Sequence, residues 1–149
     1  MSLSSSPTLA ATRLPVLTSY ERLLEAVRYA GAYPTRERAE KSVRLVLAEL
    51  GRQLPSSERE ELAASLPEEA ARLLAGDATD HAAPMTGWSF VKTLATRTGT
   101  APAVMRWDVG SVLTSVAGLV DPDLLTRLLR RLPSGYALLF GRAELVPAA

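Results

Sequence analysis

No cysteine occurs among the 149 residues. That excludes disulfides, thiolate zinc sites and cysteine nucleophiles. Histidine occurs once, at His81, which removes nearly all imidazole chemistry, because a catalytic triad needs an imidazole beside its nucleophile. Aromatic residues are scarce, at 5%. No apolar run approaches the roughly 20 residues that cross a bilayer. The N-terminal segment also lacks the continuous apolar stretch of roughly 7–15 residues that marks a secretory signal. Excess charge is missing as well: 17 basic and 16 acidic side chains leave a net +1. A strongly basic nucleic-acid module is therefore not the default reading. Neither G-x-S-x-G, nor a Walker loop, nor G-x-G-x-x-G is present, so the common nucleophile elbows and phosphate cradles are absent.

What is present is helical patterning. Residues 1–17 are rich in Ser, Thr, Leu and Pro and read as a disordered leader. Thr18 and Glu21 then stand at capping-box spacing, ahead of Tyr20, Leu23, Leu24 and Val27 at helical intervals. Gly31 is expected to end that helix in a left-handed conformation. A second helix is capped by Thr35, carries Ala39, Val43, Val46, Leu47 and Leu50 inward, and is expected to stop at Gly51. A third starts near Ser57 and buries Leu62, Ala63 and Leu66. Pro67 restarts a short fourth, with Leu73 and Leu74 inward and Gly76 closing it.

The second half replays this order. Trp88, Val91, Ala95 and Gly99 stand 68 positions after Tyr20, Leu23, Val27 and Gly31. Val109, Val112, Leu113 and Val116 then follow Val43, Val46, Leu47 and Leu50 by 66, as Leu132-Pro133 follows Leu66-Pro67. A two-residue deletion in the intervening loop accounts for the change of interval. The expected organisation is a leader (1–17), repeat one (18–76), a linker (77–85), repeat two (86–141) and a tail (142–149). The fold class is all-α: about eight helices in two tandem four-helix repeats, packed about a pseudo-twofold axis as one domain. The expected core includes Leu94, Leu124, Leu128 and Leu139 beside the repeated positions.

Several stretches resemble a known family. They are Glu37-Arg38-Ala39-Glu40, Val46-Leu47-Ala48-Glu49-Leu50, the run from Leu62 through Leu66-Pro67-Glu68-Glu69, and Leu73-Leu74; the second half gives Val112-Leu113, Leu132-Pro133 and Leu139-Phe140-Gly141. The pattern is similar to bacterial domain-of-unknown-function family twenty-two sixty-seven. The second half departs from it at Trp107-Asp108-Val109-Gly110 and at Ser134. The resemblance implies a helical fold with two copies of a unit; it implies no activity and no catalytic residue.

Asp77, Asp80 and His81 are the one cluster with metal-ligand chemistry. Their spacing fits no standard loop, and three donors lack a fourth, so they read as a solvated linker. No catalytic residue, metal or cofactor is therefore assigned, and the protein reads as non-enzymatic and cytoplasmic, with no membrane association. The acids of the first half read as caps and exposed pairs, with Glu37–Lys41, Glu40–Arg44 and Glu68–Arg72 at i,i+4.

Contact residues are sought instead. Tyr20 and Trp88, at matched positions, are expected to seal equivalent ends of the repeats. Trp107 has no aromatic counterpart, since the matched region holds Ala39 and Glu40. It either fills the interface between repeats or stands partly exposed as an anchor for a partner. Asp123 is placed to pair with Arg127, leaving Arg130 and Arg131 unpaired in the last turn before Pro133. The leading function is a protein-interaction or self-association module, with a protein partner or a second copy. Two alternatives stay open: a nucleic-acid regulator using Arg127, Arg130 and Arg131, and a small-ligand site in the seam between repeats.

Short helices depend on packing their apolar face rather than on propensity, and Gly110 and Gly118 weaken the second half further, at roughly 1 kcal/mol each against Ala. Residues 82–149 alone are therefore expected to give no cooperative thermal transition by circular dichroism and no dispersed amide resonances. A sharp transition would instead make the halves two tethered domains.

Overall fold

The computed structural model describes residues 16–76 and 82–143. Most of the proposed leader, the Asp77–Asp80–His81 cluster and most of the tail lie outside the described residues. Eight helices occur among those described, and no strand: α1 (Ser19–Gly31), α2 (Arg36–Gln53), α3 (Ser56–Ala64), α4 (Glu68–Ala75), α5 (Gly87–Thr98), α6 (Pro102–Ala117), α7 (Pro122–Arg131) and α8 (Tyr136–Leu139). The all-α expectation holds.

Local chemistry starts and stops these helices. Thr18 and Glu21 form the complete capping box, and Thr35 and Thr86 each accept the amide three residues on. Proline sets most of the other boundaries. A residue before proline is pushed out of the helical region. Leu54 and Leu132 accordingly take ψ of 140° and 150° at the ends of α2 and α7. Both Leu side chains are buried, as is Leu66 before Pro67. Each of these Leu-Pro steps thus stops the chain and plugs the core at once. Pro102 and Pro122 open α6 and α7, where a missing amide hydrogen costs nothing.

The long helices α2 and α6 pack against each other at the centre. Their inward residues Val43, Val46, Leu47, Leu50, Val109, Val112, Leu113 and Val116 are fully buried. Each such side chain contributes roughly 1.5–3 kcal/mol against exposure. Helix α1 lies against both α2 and α6, α4 covers α2, α5 and α8 cover α6, and α3 meets α7. One continuous cluster of buried residues draws on both halves of the chain. Of the residues expected inward on these helices, Ala63 and Leu73 are half-buried; α4 buries Ala70 together with the expected Leu74, one helical turn on.

Three glycines act differently from the sequence expectation. The left-handed residue after α1 is Ala32, with φ 54°, not Gly31. Gly31 is required for space, since a Cβ there would fall 2.2 Å from the Tyr33 ring. Gly51 does not end α2, which runs on to Gln53; it lets α4 approach so closely that a Cβ would meet the Leu74 carbonyl oxygen at 1.9 Å. Gly118 caps α6 at its end rather than interrupting it. Gly99, by contrast, takes the expected left-handed conformation after α5, with φ 66°.

The two left-handed caps also locate the change of interval. Thr18 and Thr86 cap α1 and α5 at 68 positions' separation, Ala32 and Gly99 end them at 67, and Thr35 and Ala101 open the next helices at 66. Helix α5 is one residue shorter than α1, and the link behind it is one residue shorter than the link behind α1. The loop alone does not carry both.

A left-handed alanine is strained by its Cβ, and glycine is not. Ala32→Gly is expected to stabilise the chain by about 0.5–1 kcal/mol. Gly51→Ala, which must push two backbones apart, is expected to cost about 1–3 kcal/mol. Paired thermal and urea melts check both signs.

Candidate functional site

Two buried carboxylates tie the halves together. Asp108 on α6 and Glu49 on α2 are 5% and 2% exposed. A buried charge is tolerated only with partners. Asp108 Oδ1 accepts from the Tyr33 hydroxyl at 2.5 Å, and Oδ2 accepts from Arg38 Nη2 at 3.3 Å. Arg38 also lies over the Tyr33 ring, 4.8 Å from its centroid, and donates to Ser42 Oγ. Glu49 Oε1 accepts from Arg52 on its own helix and from Arg97 on α5, both at 3.1 Å. In each case the acid comes from one half and a partner from the other. Neither acid lines any of the cavities described below. Asp108 has both carboxylate oxygens engaged by residues of the first half, so the Asp108–Tyr33–Arg38 group acts as a clamp between the halves.

The clamp holds an exposed face in place. On α6 the residue before Asp108 is Trp107, whose indole Nε1–H donates to the Gly31 carbonyl at 2.9 Å. Its ring is nevertheless 55% exposed. Trp107 thus bridges the halves through its nitrogen while its side chain stays exposed to solvent. Beside it lie two cavities that share Arg106, Leu138 and Leu139. One, of about 250 Å³, is walled by Trp107, Ala30 and Gly110; the other, of about 190 Å³, by Trp88, Val91 and Gly135. Leu138 at their common edge is 55% exposed.

Trp88 does not seal an end of the bundle as Tyr20 does. Tyr20 is buried and donates to Glu40 Oε2 at 2.8 Å, whereas Trp88 is 56% exposed. The reason is a rotation of the inward face. Helix α1 buries Tyr20, Leu23, Leu24 and Val27, while α5 buries Gly87, Phe90, Val91, Leu94 and Ala95. Gly87 comes so close to the α7–α8 turn that a Cβ would sit 2.6 Å from the Gly135 carbonyl carbon. That contact turns Gly87 inward and Trp88 outward. The signal was readable: Lys92 stands where α1 has Leu24, and Phe90 where α1 has Arg22.

The basic candidates of α7 fare differently. Arg127 pairs with Glu61 on α3 at 3.0 Å, not with Asp123. Arg131, expected to be unpaired, lies 3.8 Å from Glu58, also on α3. The α3–α7 contact brings these acids across, which no spacing within α7 reveals. Arg130 is exposed and has no ion pair among the described residues. Of the i,i+4 pairs expected in the first half, Glu40–Arg44 and Glu68–Arg72 form.

A third cavity, of about 350 Å³, lies between the halves. Arg22 and Leu23 of α1, Leu66 and Pro67 after α3, and Ser115 and Leu119 at the end of α6 wall it. Among the described residues no cluster of His, Cys, Asp or Glu has metal-holding geometry, and no helix is long and apolar enough to cross a membrane. Arg106 and Leu138 were not singled out in the sequence. Arg106 reads there as one more surface cation, and Leu138 as one leucine in a leucine-rich segment.

Three tyrosines are held protonated. Burial pushes the hydroxyls of Tyr20, Tyr33 and Tyr136 up, with Glu40 and Asp108 adding to the effect at the first two and the Glu49 charge at the third. A group whose pKa is raised by folding stabilises the fold below its unfolded value, and that stability is lost as pH climbs. Stability is therefore expected to be level near neutrality and to fall above about pH 10, where unfolded tyrosine ionises. Tyr33→Phe should lower stability at pH 8 yet make the alkaline fall shallower. Urea midpoints across pH 8–11 check this.

One family model, described as "Uncharacterized conserved protein (DUF2267)", matches residues 20–139. The chain belongs to that family. No curated protein matches it.

Proposed function

We propose that this member of the DUF2267 family is a non-enzymatic protein-interaction module, and that it docks partners on the face formed by α5, α6 and α8. The observation that carries this is the gathering of half-exposed large apolar side chains. Trp88, Trp107 and Leu138 border the two adjoining cavities, with Val104 one turn before Trp107 on α6. Aromatic side chains with one polar end fixed are the usual anchors of interfaces. Trp107 fits that role, because its indole hydrogen bond orients the ring before any partner arrives. Rigid anchors lose less conformational entropy on binding. The non-enzymatic part is supported by the clamp: the buried acids are engaged by tyrosine and arginine partners, and neither acid lines the two cavities of this face.

The organisation as two copies of one unit also belongs to this reading. It is supported by the matched caps at Thr18 and Thr86 and by the Leu-Pro stops at Leu66 and Leu132. The nucleic-acid alternative has less behind it, since Arg127 and Arg131 face Glu61 and Glu58.

Trp88 and Leu138 are exposed enough to replace without unfolding the chain. A double variant Trp88→Ser/Leu138→Ser is expected to keep the wild-type melting curve within a few degrees. It is also expected to lose the proteins that the wild-type chain captures in cross-linking from its own cell. Identical capture by both chains would remove this face from consideration.

A further inference from the structure

The residues that line the two cavities of the docking face include one charge. Arg106 lines both cavities, and all its neighbours there are neutral. Its side chain is exposed and has neither an ion pair nor a hydrogen bond among the described residues. The guanidinium lies over Gly110, where a Cβ would come 2.9 Å from Nη1, so the glycine leaves room for it between the two hollows.

This arrangement restricts what can cover the face. A wholly apolar partner would desolvate Arg106 and give it nothing, and a buried unpaired charge is strongly destabilising. A second copy docked by a twofold axis through Arg106 would bring one guanidinium onto another, since a twofold interface places the same patch on both sides. A carboxylate meets the requirement, because it accepts two parallel N–H bonds from the planar fork. From this we infer that the face reads a protein segment carrying an Asp or Glu flanked by apolar side chains. The acid seats on Arg106, and one apolar side chain enters the hollow beside Trp107 and another the hollow beside Trp88. The inference rests on the docking reading above and adds the chemistry of the partner.

Trp88 and Trp107 are the chain's only two tryptophans, so selectively excited tryptophan fluorescence of the full chain reports on this face alone. The probes are short synthetic peptides with a central Glu flanked by Leu and Phe at varied spacing, and the same set with central Gln or Lys. Glu-centred peptides are expected to shift the emission to the blue and to bind about tenfold tighter than their Gln counterparts, as suits a charge-assisted fork. Arg106→Gln should erase that preference, and Arg106→Glu should transfer it to the Lys-centred set. Equal binding of all three sets would overturn the inference while leaving the docking face intact. Binding by none of the peptides would overturn it too, with the capture experiment then judging the docking face by itself. Self-association in sedimentation that disappears in Arg106→Gln would show a second copy as the occupant, and so also overturn it.

Discussion

The structure depends on the exchange of buried charge between its two halves. Asp108 sits in the apolar face of α6, among Met105, Val109 and Val112. Helix α6 can bury that face only if the carboxylate is met, and the groups that meet it, Tyr33 and Arg38, come from the first half. Glu49 makes the reverse demand, taking Arg97 from the second half. Each acid has two partners, so losing one leaves a buried carboxylate short of a hydrogen bond, which is destabilising. The hydrophobic contact of α2 with α6 supplies most of the burial, but it is non-directional. The carboxylates fix which residues meet across it.

That constraint reaches the surface through a single helix. Asp108 and Trp107 are adjacent on α6, so the clamp that holds one sets the direction of the other. The Gly31 carbonyl takes the indole hydrogen, and Gly31 also leaves the space into which the Tyr33 ring fits. Arg106, one residue further back, is thereby aimed over Gly110. The same close approaches recur elsewhere, with Gly51 under the Leu74 carbonyl and Gly87 under Gly135. Close packing of this kind leaves little freedom to the elements that carry Trp88, Trp107 and Leu138.

Pairing across the bundle also changes what the charged residues mean. Arg127 and Arg131 read as a basic stripe when α7 is considered alone. Against α3 they become one side of two bridges to Glu61 and Glu58. The cation left without a partner on an apolar face is Arg106, which draws no attention in the sequence.

The sequence by itself determined the helices, most of their starts and nearly all of the core, though not the stops assigned to Gly31 and Gly51. These follow from local rules: threonine hydroxyls meeting orphan amides, leucine forced extended before proline, and apolar residues spaced by the helical turn. Leu73, expected inward, is only half-buried, because a half-turn at the end of a short helix is settled by what packs on it. The seal assigned to Trp88 failed for a similar reason. Repeat position predicts a role only while the inward face keeps its phase, and the approach of Gly87 to Gly135 turned α5 by about one residue. Only the tertiary structure decided that Asp108 meets Tyr33, that α3 neutralises α7, and that Arg106 stands between two hollows. Those are relations between residues some 70 positions apart or on different helices, and helical periodicity carries information across a few turns, not across a bundle.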